Sequence, residues 1–254
     1  MGKVTVVKLG GSVVTRKDKP FTVDERTLKR LCEEIAASGK RRLVVIHGGG
    51  SFGHQIVHDL RLLPPSRSAD RIGLAKVVKV MDDLSSHVVN AMIDSGLPGV
   101  LFPTFAVAVS RGARVKDLFM KSALMALEMG LVPVMRGDLC CDEATGYAVV
   151  SGDVVVEALA RRAAVEKVIM CIDRDGLESG GKVLPCVRMR DRSYEGALWE
   201  GEAVDVTGGM RHKLEALRPL AKKGTGLLLI NGRRAGRLLA ALRGGRTVGT
   251  ELRW

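Results

Sequence analysis

The residues best suited to chemistry form one run, His47-Gly-Gly-Gly-Ser-Phe-Gly-His54. It follows Leu43-Val-Val-Ile46, a short β-branched stretch that reads as a buried strand. Three glycines at a strand end leave backbone N–H groups bare. Without Cβ atoms the loop can bring those donors close to an anion such as a phosphate. A helix starting there adds its N-terminal dipole, and His54 stands just past the loop beside any anion it holds.

Gly48, Gly50 and Gly53 also satisfy the dinucleotide pattern G-x-G-x-x-G, with Asp70 at a suitable remove. The segment leading to Asp70, Leu62-Leu-Pro-Pro-Ser-Arg-Ser-Ala69, is broken by prolines where a second strand belongs, which argues against that fold. A plain tight turn needs only one or two glycines, so phosphate cradling is favoured. Three further turns set glycine beside a charged or polar residue: Lys8-Leu-Gly-Gly-Ser12, Ser151-Gly-Asp153 and Asp205-Val-Thr-Gly-Gly-Met210, the last opening a helix that bears Lys213. Lysine is a point charge on a flexible stem and suits polyphosphate oxygens. No G-x-x-x-x-G-K-S/T occurs, nor the H-R-D and D-F-G set, which excludes the P-loop and protein-kinase classes. His54 and His58 stand four apart, as zinc ligands do, but without H-E-x-x-H or an obvious third ligand no protein-bound metal is expected. His47 reads as structural, bonding backbone at the strand end.

The elements that must position these turns alternate. A strand over 4–7 leads into the Lys8 turn, and Thr22 with Glu25 reads as a capping box for a helix with Leu28, Leu31, Cys32 and Ile35 on one face and Gly39 as its stop. A long helix over 72–92 carries Leu74, Val77, Val78, Met81, Leu84, Val88 and Met92 on one face, ends at Gly96, and should return over the glycine loop. Strands are expected over 100–102, around Val107, and over 131–135, with a helix over 117–129. A hairpin around 142–146, a helix over 154–164, a strand over 168–172, an irregular stretch to Val204, a helix over 211–222 and a strand over 227–230 complete the series. Such alternation implies an α/β chain, an αβα sandwich on a mainly parallel central sheet, with ligands at the strand ends. No linker or repeat divides it.

At 254 residues and 46% hydrophobic, the chain can bury a large core. Aromatics at 4% leave few stacking platforms for single-stranded nucleic acid. The net charge of +12 is spread in doublets such as Arg41-Arg42, Arg161-Arg162, Lys222-Lys223 and Arg233-Arg234, which reads as solvated surface and not as a nucleic-acid or membrane patch. Five cysteines, an odd number without C-x-x-C, suit a reducing cytoplasm, and no apolar segment has signal-peptide or membrane-spanning length.

Lys8 to Ser12, His47 to His54, Ser151-Gly-Asp153, Asp173 within Cys171-Ile-Asp-Arg-Asp-Gly176, and Asp205 to Met210 with Lys213 together resemble the amino acid kinase superfamily. Within it, Gly-Gly-Gly-Ser-Phe-Gly-His is similar to the form found in isopentenyl phosphate kinases; relatives acting on carboxylates or uridylate share the glycines but usually lack the Ser-Phe-Gly-His continuation. The likeness runs from Lys3 to about Glu251, including Asn231-Gly232 and Gly249-Thr250. It implies the amino acid kinase (carbamate kinase-like) fold in a single domain over 1–254, with an acceptor lobe over about 1–165 and a nucleotide lobe over about 166–254.

The resemblance further implies transfer of the γ-phosphoryl group of ATP, with Mg²⁺, onto isopentenyl phosphate, giving isopentenyl diphosphate in an archaeal-type mevalonate route. A sibling kinase acting on another phosphate, a phosphonate of the fosfomycin type or a carboxylate is the alternative. ATP-binding residues carried over are Lys8, Leu9, Gly10, Gly11, Ser12, Gly50, Asp173, Gly209 and Lys213; substrate-binding residues are Gly49, His54 and Gly152. The catalytic set is Lys8, Lys17, His54 and Lys213, with Lys19 a competitor for the role of Lys17. Asp153 either orients the lysines or holds metal-bound water. A homodimer is implied, formed by helices of the N-terminal half. The acceptor phosphate is already anionic near neutrality, so no general base is required.

Overall fold

In the first strand, β1 (Val4–Leu9), every residue is buried and alternate side chains face opposite ways. Val4 and Val6 enter one core; Val7 and Leu9 enter another. Lys8 therefore points to the side of Val6. The structure, a computed structural model, describes residues 2–190 and 209–254.

After β1, α1 (Gly11–Val14) and α2 (Glu25–Ala37) lead to β2 (Leu43–His47), and α3 (Gly50–Asp59) and α4 (Arg71–Asp94) lead to β3 (Gly99–Leu101). Next come α5 (Thr104–Val107), β4 (Ala108–Arg111), β5 (Arg114–Leu118), α6 (Lys121–Glu128) and β6 (Val132–Arg136). The hairpin of β7 (Asp138–Asp142) and β8 (Gly146–Val150), then α7 (Gly152–Ala160), precede β9 (Val165–Ile172). The chain continues through β10 (Glu178–Ser179), β11 (Lys182–Val183), β12 (Cys186–Arg188), α8 (Gly209–Lys222), β13 (Gly226–Asn231), α9 (Arg237–Leu242) and β14 (Gly249–Arg253).

Eight strands form one sheet in the order β12-β14-β13-β9-β1-β2-β6-β3, parallel throughout except for the β13–β14 pair. One core packs α6, α7 and α8 on one face; the other packs α2, the C-terminal half of α4, and α9 on the opposite face. This is the α/β sandwich the alternation predicts. A separate four-stranded sheet, β5-β4-β7-β8, flanks it. Among the described residues, no helix is long and apolar enough to cross a membrane.

Several expectations need correction. The cap of α2 is Asp24, whose carboxylate accepts from Thr27 N at 3.0 Å, while the Thr22 hydroxyl donates to Pro20 O instead. Val107 ends a short helix and the strand begins at Ala108; Asp117 lies in β5, so the helix expected over 117–129 is only Lys121–Glu128. The cause is a two-residue hairpin turn in which Gly112 and Ala113 both hold positive φ, the geometry that matches strand twist. Alanine is an unusual choice there, and Asp142 supports it by accepting from Ala113 N. The stretch expected to be irregular contains β10, β11 and β12, and its remainder over 191–204 lies outside the described residues. Helix α9 and strand β14 add to the elements that the alternation predicts.

The segment around residues 231–236 is tied down from α2. Glu34, buried, accepts from Gly236 N at 2.9 Å and Leu239 N at 3.0 Å, capping α9, and from Arg30 Nη1 at 2.6 Å. Arg30 also donates to Gly232 O at 2.5 Å. Truncation of Glu34 leaves two backbone donors and a partly buried guanidinium without their acceptor. Glu34→Ala is expected to destabilise the protein by about 2–4 kcal/mol. Urea unfolding measures this, and a loss below about 0.5 kcal/mol would show that the clasp contributes nothing.

Candidate active site

Strands β1, β2 and β9 run parallel and end at the same edge of the sheet, where their turns converge. The first two turns touch. A Cβ on Gly11 would lie 2.2 Å from Gly50 N, and one on Gly50 would lie 2.1 Å from Thr15 Oγ1, so neither position admits a side chain. Gly50 also holds φ +49°. Thr15 stitches the turns together, its hydroxyl donating to Gly11 O at 2.8 Å and accepting from Ser51 N at 2.9 Å. Helix α3 begins at this contact, capped by Gly49, and points its N-terminus towards the cleft.

The cleft has a volume of about 540 Å³. Lys8, Gly10, Gly11, Ser12 and Lys17 line it from the first turn; Gly49, Gly50 and His54 from the second. Gly152 and Asp153 from α7, Asp173 after β9, and Gly209 and Lys213 from α8 complete the polar part. The structure thus brings together every predicted site residue except Leu9, whose side chain strand alternation turns into the opposite core. Leu9 carries a backbone role instead, its carbonyl accepting from Gly48 N at 2.9 Å. Lys19 is exposed and does not line the cleft, whereas Lys17 Nζ lies 2.7 Å from Asp173 Oδ2. Residues 205–208 of the Asp205 motif lie outside the described residues.

At the base, one carboxylate serves two ammonium groups. Asp153 Oδ1 lies 2.7 Å from Lys8 Nζ, and Asp153 Oδ2 lies 2.7 Å from Lys213 Nζ. Ser151 positions the carboxylate by capping α7, its Oγ accepting from Val154 N at 3.3 Å. Gly152 lets the Lys8 stem pass, since a Cβ there would lie 3.3 Å from Lys8 Cε. Burial pushes the Lys8 ammonium below its ordinary value; Asp153 pulls it back up and Lys213 pushes it further down. For Asp153, burial opposes ionisation, yet Lys213 and Lys8 outweigh it and hold the carboxyl well below the usual range. The cleft also has an apolar part, to which Val57, Val77, Met81, Leu139 and Val149 contribute.

The pattern of the amino acid kinase family matches residues 3–231. The chain belongs to the amino acid kinase family. It is 32% identical to the isopentenyl phosphate kinase of Methanothermobacter thermautotrophicus, over 97% of this chain and 98% of that one. With the isopentenyl phosphate kinase of Haloferax volcanii it shares 36% identity over 85% of this chain and 88% of the relative. A solved structure described as isopentenyl phosphate kinase superposes with a TM-score of 0.85 at 28% identity, covering 98% of this chain and 99% of the other.

In this member of the family, Asp70 is no ribose ligand. It caps α4, accepting from Ile72 N and Gly73 N. His47 is wholly buried, with Nδ1 donating to Gly48 O at 3.1 Å and Nε2 3.0 Å from Ser85 Oγ. Sequence reading missed Thr15, Ser85, and the buried pair Arg136 and Asp138 beside the cleft; a charged Arg-Gly-Asp at the end of an apolar strand was the available signal for the last two. Three of the five free cysteines, Cys32, Cys140 and Cys171, are buried, and burial pushes each thiol up to about 12.

Two outcomes follow from these charges. Asp153→Asn removes the group that raises Lys8, so Lys8 is expected to lose its proton at lower pH than in wild type, read from its side-chain NMR titration. An unmoved Lys8 titration would show that Asp153 does not control it. Burial, only partly offset by the Gly48 bond, holds His47 down to about 4 from an ordinary 6.5, so between those pH values the unfolded chain takes up a proton that the folded protein refuses. Stability from this source is complete above the window, falls by about 3 kcal/mol as pH drops through it, and changes no further below. Urea unfolding of wild type and His47→Gln across the window should diverge; parallel curves count against the assignment.

Proposed function

We propose that this chain catalyses the ATP-dependent phosphorylation of isopentenyl phosphate to isopentenyl diphosphate. The observation that carries the reading is the pairing of two surfaces in one cleft. Glycine backbone and His54 stand at the N-terminus of α3, and the apolar side chains of Val57, Val77, Met81, Leu139 and Val149 continue from them. A monophosphate with a short branched hydrocarbon tail fits that sequence of surfaces; glutamate or uridylate would leave the apolar wall unused or bury polar groups against it. The names of the family relatives support the same substrate.

In this scheme Gly49, His54 and Gly152 hold the acceptor phosphate. Lys8, Gly10, Gly11, Ser12, Gly50, Asp173, Gly209 and Lys213 serve the nucleotide. Residues 1–165 then make the acceptor lobe and 166–254 the nucleotide lobe, with β1 and β9 adjacent at the seam. An acceptor phosphate oxygen attacks the γ-phosphorus, the bond to the β–γ bridging oxygen breaks, and ADP leaves. Charge spreading over the transferred group meets Lys8, Lys213 and the glycine N–H groups, with Lys17 reaching in from its turn. Asp153 holds two of these ammoniums 2.7 Å from its oxygens, so they need no reorganisation during transfer.

Of the carboxylates lining the cleft, Asp153 and Asp173 are already paired with lysines and Asp138 with Arg136, and among the described residues no three His, Cys, Asp or Glu stand together as metal ligands. Mg²⁺ fits as an ion held by nucleotide phosphates and water, where it would neutralise charge between the β and γ groups. A role in isoprenoid synthesis in the cytoplasm belongs to the same reading. So does a homodimer, supported by the exposed apolar side chains of Phe119, Met125 and Met129 on and around α6.

A coupled assay with ATP over isopentenyl phosphate, dimethylallyl phosphate, uridylate, glutamate and fosfomycin tests the proposal. Isopentenyl phosphate is the expected best acceptor; turnover of uridylate or glutamate alone sinks it. His54→Ala should lower kcat/KM for the monophosphate by about 2–4 kcal/mol, because a phosphate oxygen loses its charge-assisted donor, and leave ATP binding almost untouched. His54→Gln should fall between. Full activity in His54→Ala would remove the histidine from the site.

A further inference from the structure

Arg136 ends β6 with its guanidinium wholly inside the protein, and nothing in the transfer scheme uses it. Its Nε donates to Asp138 Oδ2 at 2.7 Å; its Nη1 donates to Ser85 Oγ at 2.8 Å and lies 2.8 Å from Asp82 Oδ1. Nη2 is buried and, among the described residues, has no hydrogen-bond partner. A guanidinium held dry with one nitrogen unsatisfied is a poor device for stability, since an apolar side chain of similar shape serves a core as well or better. Its reason lies in what it joins.

On one side the connection runs to the glycine loop. Arg136 is the register partner of His47 across the parallel β2–β6 pair, and Gly137 N donates to His47 O at 3.0 Å. Ser85, on α4, takes the bond from Arg136 and faces His47 Nε2 at 3.0 Å; His47 Nδ1 in turn donates to Gly48 O at 3.1 Å. On the other side, Asp138 Oδ1 accepts from Leu139 N at 2.9 Å, and Leu139 belongs to the apolar wall of the cleft. Asp138 itself lines the cleft, with its carboxylate enclosed.

We infer that Arg136 is a positioning residue, fixing the glycine loop and the apolar wall at the separation that the acceptor monophosphate requires. The inference rests on the acceptor site proposed above. The nucleotide side is outside the connection: Gly10, Gly11 and Lys213 share none of these bonds. Weakening the connection should therefore loosen the acceptor and spare ATP, a split that mere loss of folded protein cannot produce.

Two variants and two readouts decide it. Ser85→Ala cuts the link to His47 and leaves the Arg136–Asp138 pair intact; Arg136→Met combined with Asp138→Leu removes both buried charges at once. In each, KM for isopentenyl phosphate is expected to rise about fivefold to tenfold with KM for ATP unchanged, the scale of one lost hydrogen bond. In the ligand-free protein, the amide resonances of Gly48 and Gly49 should move while those of Gly10 and Gly11 stay. Should the double variant fail to fold, Ser85→Ala decides alone. Equal changes in both KM values, an unchanged acceptor KM, or unmoved loop amides overturn the positioning role. If wild type turns over no isopentenyl phosphate, the proposed function fails, and the loop amides of Ser85→Ala still decide whether Arg136 holds the loop.

Discussion

Two largely buried lysines meet at the base of one cleft, and the structure around them depends on the single carboxylate that lets them do so. Side by side in a medium of low dielectric, Lys8 and Lys213 would repel strongly enough for one to shed its proton. Asp153 takes one ammonium on each oxygen, which offsets that repulsion and keeps both aimed. The net result is one positive charge more than the triad itself neutralises, fixed before any ligand arrives. That demand dictates several local choices. Lys8 must lie on the α7 face of the central strand, α7 must begin at the sheet edge with a serine cap, and the residue before the aspartate must lack a side chain so that the lysine stem can pass. Helix α8 then has to return along the same face to deliver Lys213.

Much of this was legible because it is written in short-range patterns. Buried β-branched runs gave β1, β2, β6, β9 and β13, and their glycine ends located the turns that converge on the cleft. Apolar spacing on the long helix placed Val77 and Met81 facing the loop that precedes it in the chain. What stayed hidden depended on contacts remote in sequence or on small energetic choices between neighbours. Asp24 outcompetes Thr22 as a cap by one bond. The β4–β5 hairpin turns on an alanine at positive φ, held by an aspartate 29 residues away. Leu9 was assigned by adjacency to a motif, and only strand alternation reveals that its side chain leaves on the far side. Arg136 went unnoticed because burial of its guanidinium depends on partners from α4 and β7, of which Asp82 and Ser85 are remote in sequence.

The contact between Gly11 and Gly50 has a consequence for how the two halves of the site relate. Their backbones meet with no room for a methyl group, and Thr15 bonds to both turns. The turn that carries Lys8 and the turn that carries His54 are therefore pinned to each other at this contact. For a reaction whose barrier is lowered mainly by bringing two anions into line, such pinning is what the protein can contribute. The positive surface supplies the complementary long-range part, since both anions are drawn towards a chain of net charge +12 before either is bound.

Chemistry and acceptor choice are built from different parts of the chain. Lys8, Asp153, Asp173 and Lys213 sit at the ends of sheet strands or on helices packed directly against the large sheet. The proposed acceptor wall comes from α3, α4 and the β7–β8 hairpin, which lie between β2 and β9 in sequence, the hairpin belonging to the separate four-stranded sheet. Substitutions at Val57, Val77, Leu139 or Val149 reshape the wall without touching the lysine pair or its carboxylate. The two regions meet in the glycine loop, which presents N–H groups to anions on one side and leads into the helix bearing His54 on the other. The loop is held from two sides, by Thr15 from the nucleotide turn and by His47 with Ser85 from the acceptor side, so the acceptor face can be loosened while the bond to the nucleotide turn stays in place.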